Sequence, residues 1–163
     1  MRPTRRSMVL AAVAAASLIP ASSAVAHDSH SSHHRARTLL QAPIAGSLPS
    51  DDPIFGVSPG GAPWVIDRGS ARVRTDGRLE VRVEGLVIPP PTQPNVNPVP
   101  KLSASLACNG EVVVTTRQVP FSRSGDARIK ERVNVPKRCI APVVMLNPNG
   151  NAKVFIGITG TEE

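Results

Sequence analysis

Apolar and polar residues alternate with a period of two through most of the chain beyond residue 60, and that period predicts strands. Arg78–Glu84 is the cleanest case, with Leu79, Val81 and Val83 on one side and Arg78, Glu80, Arg82 and Glu84 on the other. Ser70–Arg74 alternates in the same way, Ala71 and Val73 against Arg72 and Arg74, and Thr75-Asp76-Gly77 joins the two as a hairpin. Trp64-Val65-Ile66 predicts a shorter strand before them, and Leu86-Val87-Ile88 closes this half. In the second half, Lys101–Cys108 puts Leu102, Ala104, Leu106 and Cys108 on one face. Asn109-Gly110 is the strongest hairpin turn signal in the chain, and Glu111–Val119 is its β-branched return strand. After a loop at Phe121–Asp126, Ala127–Val135 sets Ile129, Val133 and Val135 against Arg128, Lys130 and Arg132. Ile140–Leu146 is apolar on both faces and predicts a central strand. Asn147-Pro148-Asn149-Gly150 turns the chain into a last strand, Lys153–Thr159, with Val154, Ile156 and Ile158 on one side.

Seven or eight such strands and no helical period predict an all-β domain over residues 54–163. The expected architecture is a single antiparallel β-sandwich, Ig-like, with a small closed β-barrel as the alternative. Two stretches break the pattern. Residues 27–53 are a His-rich polar run followed by a Pro, Gly and Ser linker, and they predict a disordered tail. Pro89 to Pro100 holds six prolines in twelve residues, which predicts a crossover loop of extended character, because proline lacks the donor that a sheet interior needs.

The first 26 residues carry the marks of an export signal. Arg2, Arg5 and Arg6 form a basic start, Met8–Ile19 an apolar, alanine-rich run, and Ala24-Val25-Ala26 an A-x-A cleavage site. The apolar run is shorter than the roughly 20 residues that span a bilayer, so no membrane insertion is expected after cleavage. Thr4-Arg5-Arg6-Ser7-Met8-Val9 also fits a twin-arginine signal, so export by either the Tat or the Sec route is expected. A secreted protein with two cysteines, Cys108 and Cys139, is expected to join them. That bridge closes a loop of about 32 residues, for which chain entropy gives roughly 3.5–4 kcal/mol before strain.

The formal charge of +7 includes the three signal arginines. From Asp51 onward 14 basic residues face 11 acidic ones, so the body is close to balanced. The chain has no tyrosine and only Phe55, Trp64, Phe121 and Phe155 as aromatics, too few to stack bases. No nucleic-acid partner is expected.

Candidate chemistry is sparse. All four histidines, His27, His30, His33 and His34, lie in the predicted tail. A Ser-His-Asp or Cys-His arrangement needs an imidazole held rigidly against its nucleophile, and a tail does not hold one. The same histidines can bind Cu or Zn, and cleavage after Ala26 would give His27 a free amine beside its ring. The body carboxylates Asp67, Asp76, Glu80, Glu84, Glu111, Asp126 and Glu131 are the candidates for a carboxylate-based hydrolase; most alternate with arginine on solvent faces, whereas Glu131 shares a face with Ile129 and Val133 and is predicted to be partly buried. Trp64, the single tryptophan, is either a core residue or part of a binding surface.

Four segments resemble a group of small secreted actinobacterial proteins with no assigned activity. They are PGGAPWVIDRGSARVRTDGRLEVRVEGLVIP (Pro59 to Pro89), SASLAC (Ser103 to Cys108), GDARI (Gly125 to Ile129) and CIAPVV (Cys139 to Val144). The resemblance implies a secreted domain with this disulfide and brings no catalytic residue. The functional expectation is therefore a non-enzymatic binding or structural module outside the cell, with no cofactor. Its partner would be an extracellular protein, the cell wall or a polymer. The alternatives are a Cu/Zn-binding protein using the His cluster and the hydrolase. No residue pattern selects an oligomeric state.

Overall fold

The computed structural model describes residues 35–161, and the expected export signal and all four histidines lie outside the described residues. The strands are β1 (Thr38–Gly46), β2 (Ser58–Pro59), β3 (Arg68–Arg74), β4 (Arg78–Glu84), β5 (Lys101–Cys108), β6 (Glu111–Thr115), β7 (Val119–Pro120), β8 (Ala127–Arg132), β9 (Val143–Pro148), β10 (Val154–Phe155) and β11 (Gly157–Thr159). No helix occurs among the described residues. The main sheet runs β6-β5-β9-β11-β1-β3-β4-β8, with β7 also on β5, and all its pairings are antiparallel. β2 and β10 form a small parallel pair.

β1 makes this one curled sheet rather than two. Its first part, Thr38 to Pro43, pairs with β3, and Ile44 to Gly46 pairs with β11 on the other side. The halves on either side of β1 fold their apolar faces together. Val73, Leu79, Val81 and Ile129 meet Leu102, Leu106, Val144 and Leu146 in one core. The far edges also meet: the backbone N–H of Arg117, between β6 and β7, donates to Glu131 Oε2 on β8 at 3.0 Å. The fold is thus all-β with an antiparallel main sheet, a sandwich in its packing and barrel-like in its curl.

Within the stretch 27–53 that the sequence predicts to be disordered, β1 corrects the expectation for Thr38–Gly46, which lies inside the sheet. Leu40, Ala42 and Ile44 turn toward the core while Gln41 and Pro43 are exposed, so the period-two pattern is present. Pro43 conceals it. A proline is tolerated there because β1 passes at that point from one neighbour to the other, and its carbonyl still accepts from the Gly160 N–H at 3.1 Å. Gly46 is needed for a different reason: a Cβ there would collide with the Trp64 carbonyl. Gly46→Ala is expected to cost about 2–3 kcal/mol, as overpacking against fixed backbone does. Urea denaturation of the variant checks this, and a loss under 0.5 kcal/mol would show that the backbone yields freely.

Other expected strands are shorter or broken. Trp64–Ile66 and Leu86–Ile88 are joined by one bridge, Val65 to Val87, and Ile88 makes a further bridge to Val96. Glu111–Val119 divides into β6 and β7, because Thr116 turns inward and its hydroxyl accepts from the Ala104 N–H at 2.9 Å. The strand expected over Ile140–Leu146 begins at Val143, and Ile140 is 52% exposed. Lys153–Thr159 divides into β10 and β11 because two cores compete for it. Ile156 joins the main core, whereas Phe155 joins a second cluster with Val57, Ala107 and Met145. That cluster covers the outer side of β5 and β9, so β9 is apolar on both faces, as its sequence predicts.

The turns follow their signals. Asn109 and Gly110 both have positive φ, 58° and 88°, as a two-residue hairpin turn requires. The proline-rich crossover is pinned rather than free. The Asn97 side chain donates to the carbonyls of Val99 (2.7 Å) and Ser122 (2.8 Å) and accepts from the Val99 N–H (2.8 Å).

Candidate functional site

Of the expected site residues, the structure joins the two cysteines, and the four histidines lie outside the described residues. Cys108 and Cys139 form the disulfide, with Cα atoms 4.9 Å apart. Cys108 is fully buried at the end of β5, and Cys139 lies in the loop before β9. Asn109 clamps that loop from both sides: its side chain donates to the Arg138 carbonyl and accepts from the Ile140 N–H, and its own N–H donates to the Ile140 carbonyl. Trp64 is 4% exposed and belongs to the main core, which corrects the reading of its ring as a binding surface. Its indole rests over Gly60 beside Ile156, and the aromatic area is used in packing.

Glu131 does lie on the inward face of β8, but it is engaged. Oε2 accepts from the Arg117 N–H, and Oε1 stands 3.7 Å from Arg117 Nε. Its role is to join the two sheet edges. Asp126 organises the loop before β8, accepting from the Ser124 hydroxyl (2.6 Å), the Ser122 hydroxyl (3.2 Å) and the Gly85 N–H (3.2 Å). The Ser124 bond, then the Gly85 N–H, hold its carboxyl below the ordinary aspartate value. A lowered folded value means stability that is complete above about pH 4 and lost as the pH falls further. Asp126→Asn is expected to flatten the acid limb of the stability curve, and an unchanged limb in denaturation from pH 2 to 5 would contradict this. Among the described residues no three of His, Cys, Asp and Glu stand together as a metal site.

What the fold does assemble is a charged surface. β3, β4 and β8 are neighbours, and their outward positions fall on shared rungs. Ser70, Arg82 and Arg128 form one rung; Arg72, Glu80 and Lys130 form the next. Arg78 faces Arg132 on the third, with Arg74 beside Arg78 across the hairpin. Arg68 faces Glu84 at the far end. The face therefore carries Arg68, Arg72, Arg74, Arg78, Arg82, Arg128, Lys130 and Arg132 against three carboxylates, Glu80 and Glu84 on the strands and Asp76 in the adjoining turn.

The pairings on this face are lopsided. Glu84 holds two arginines, Arg68 at 3.0 Å and Arg82 at 2.6 Å, and Asp76 in the turn holds Arg78 at 3.5 Å. Among the described residues Arg72, Arg128, Lys130 and Arg132 make no ion pair. Arg72 donates to the Thr38 hydroxyl and Arg132 to the Asp76 carbonyl. Two rungs set like charges directly opposite, Arg82 with Arg128 and Arg78 with Arg132, an arrangement that destabilises a sheet. The Arg82 end opens into a depression of about 690 Å³ whose lining includes Arg68, Ser70, Arg82 and Glu84.

No family model, curated protein or solved structure matches this chain. Apart from Arg68, the sequence shows the cations of this face as outward residues of their own strands, but the near-balance of the whole body conceals their grouping. The available signal was the outward set of three strands taken together, which is basic only if residues 127–132 pair with 78–84.

Proposed function

We propose that this protein is a non-enzymatic binding module that acts outside the cell and holds an anionic polymer on the outer face of β3, β4 and β8. The observation that carries this reading is the pair of like-charged arginine rungs on a face with eight cations and three carboxylates, Asp76 of the turn included. A sheet chosen for stability alone would set glutamate opposite arginine, as Arg68 and Glu84 do here. An extended anion laid across the rungs supplies the missing charge and removes the repulsion. The export signal and the disulfide support an extracellular setting. The resemblance to small secreted proteins agrees with that setting.

The test is retention of the mature protein, residues 27–163, on immobilised dextran sulfate across a salt gradient. Binding should fall steeply as salt rises, because each neutralised anion releases counterions. A triple Arg78→Ala, Arg82→Ala, Arg128→Ala variant should elute at clearly lower salt. Elution of both proteins at the same salt would place binding elsewhere and overturn the reading.

A further inference from the structure

The layout of the cationic face also selects among anionic polymers, an argument that rests on the proposed function above. We infer that the occupant is a linear phosphate polymer without bases, seated on the rung formed by Ser70, Arg82 and Arg128.

Three features point there. The first is the donor set. Seven of the eight cations are arginines, whose planar guanidinium matches the paired oxygens of a phosphate better than an ammonium does. On the chosen rung an exposed hydroxyl and two guanidiniums stand on three successive strands, about 4.8 Å apart. Glu84 accepts from Arg82 at both Nε (2.9 Å) and Nη2 (2.6 Å), fixing that side chain and leaving Nη1 for a ligand. Arg128 makes no ion pair among the described residues. Donors converging from three strands suit a group with several oxygens around one centre, more than a flat carboxylate.

The second feature is repetition. Arg128, Lys130 and Arg132 follow at every second residue of β8, about 7 Å apart. A chain with one anion per repeat meets a new cation at each step along the strand. The third is the missing aromatic platform. Trp64, Phe121 and Phe155 are buried, and Phe55 stands near Gly110, at the turn after β5. Neither a base nor a sugar ring has a surface to stack on here, so the backbone charge is all that the face can read.

The experiment compares Kd values for the mature protein with three probes of matched length at one ionic strength: inorganic polyphosphate, poly-L-glutamate and oligo-dT. Polyphosphate is expected to bind at least tenfold more tightly than polyglutamate, with oligo-dT no tighter per phosphate than polyphosphate. A fourfold variant, R78K/R82K/R128K/R132K, keeps the charge and removes the guanidinium forks. It should keep its affinity for polyglutamate and lose most of the tenfold phosphate preference. Equal affinity for polyphosphate and polyglutamate would overturn the phosphate inference and leave the cationic-face reading standing. A preference that survives the fourfold variant, or tighter binding of oligo-dT, would also overturn the inference. Binding of none of the probes would remove both.

Discussion

Arg128→Glu is expected to make the protein more stable and a poorer ligand binder at once. Arg128 stands directly opposite Arg82 on the neighbouring strand. Like charges in that position cost stability, whereas opposite charges contribute roughly 0.2–1 kcal/mol. The substitution converts one into the other on an exposed face, where solvent screening holds the gain to about 0.5–1 kcal/mol. In a domain of this size that raises Tm by a few degrees, of order 2–5 °C. Affinity for a polyanion should move the opposite way, by a factor of at least ten at low salt, because the cation that ends the binding rung on β8 becomes an anion. The slope of log K against log salt should also become shallower, since fewer counterions are released. Thermal unfolding and a salt-dependent binding titration on the same sample check both limbs. A variant that is less stable than the parent, or that binds polyanions as well as the parent does, would show that the arginine rung serves the fold and not a ligand.

Removing the disulfide is expected to have the largest effect on stability. A double Cys108→Ala, Cys139→Ala variant should lose about 3.5–4 kcal/mol through the chain entropy released to the unfolded state, plus a smaller packing loss at the buried Cys108. Set against a net stability of about 5–15 kcal/mol for such a domain, this removes between about a quarter and most of it. The native loop around Cys139 should nevertheless keep its shape, because Asn109 holds the Arg138 and Ile140 backbone on both sides by three hydrogen bonds. Adding Asn109→Ala should therefore cost more in the disulfide-free background than in the parent, a coupling that a double-mutant cycle measures. Urea denaturation of the four proteins gives the result. A cost below about 1 kcal/mol for the double cysteine variant would mean that the unfolded chain is already restrained there.

The strand set shows how far local pattern reaches. Arg78–Glu84 and Ser70–Arg74 were legible because each buries one face and exposes the other, and the Thr75-Asp76-Gly77 turn fixes their pairing locally. Asn109-Gly110 did the same for β5 and β6. β1 was not legible, because Pro43 and Gly46 suit a strand only where it changes partners and passes close under the Trp64 carbonyl. Both conditions are set by distant parts of the chain. The split of Lys153–Thr159 was hidden for the same reason: its residues serve two cores, and the second core exists only once residues 54–60 fold over β5 and β9.

By itself the sequence determined the all-β class, the inward and outward residues of the regular strands, the two tight hairpin turns and the cysteine pair. All of these rest on neighbours a few residues apart, or on there being only two cysteines to join. The tertiary structure alone decided what stands beside what. It placed β8 next to β4 and so gathered eight cations onto one face, it drew Trp64 into the core, and it turned Glu131 toward Arg117. Charge on a strand reads the same whichever strand lies next to it, but its energetic meaning depends on the neighbour about 5 Å away, and only the folded pairing supplies that neighbour.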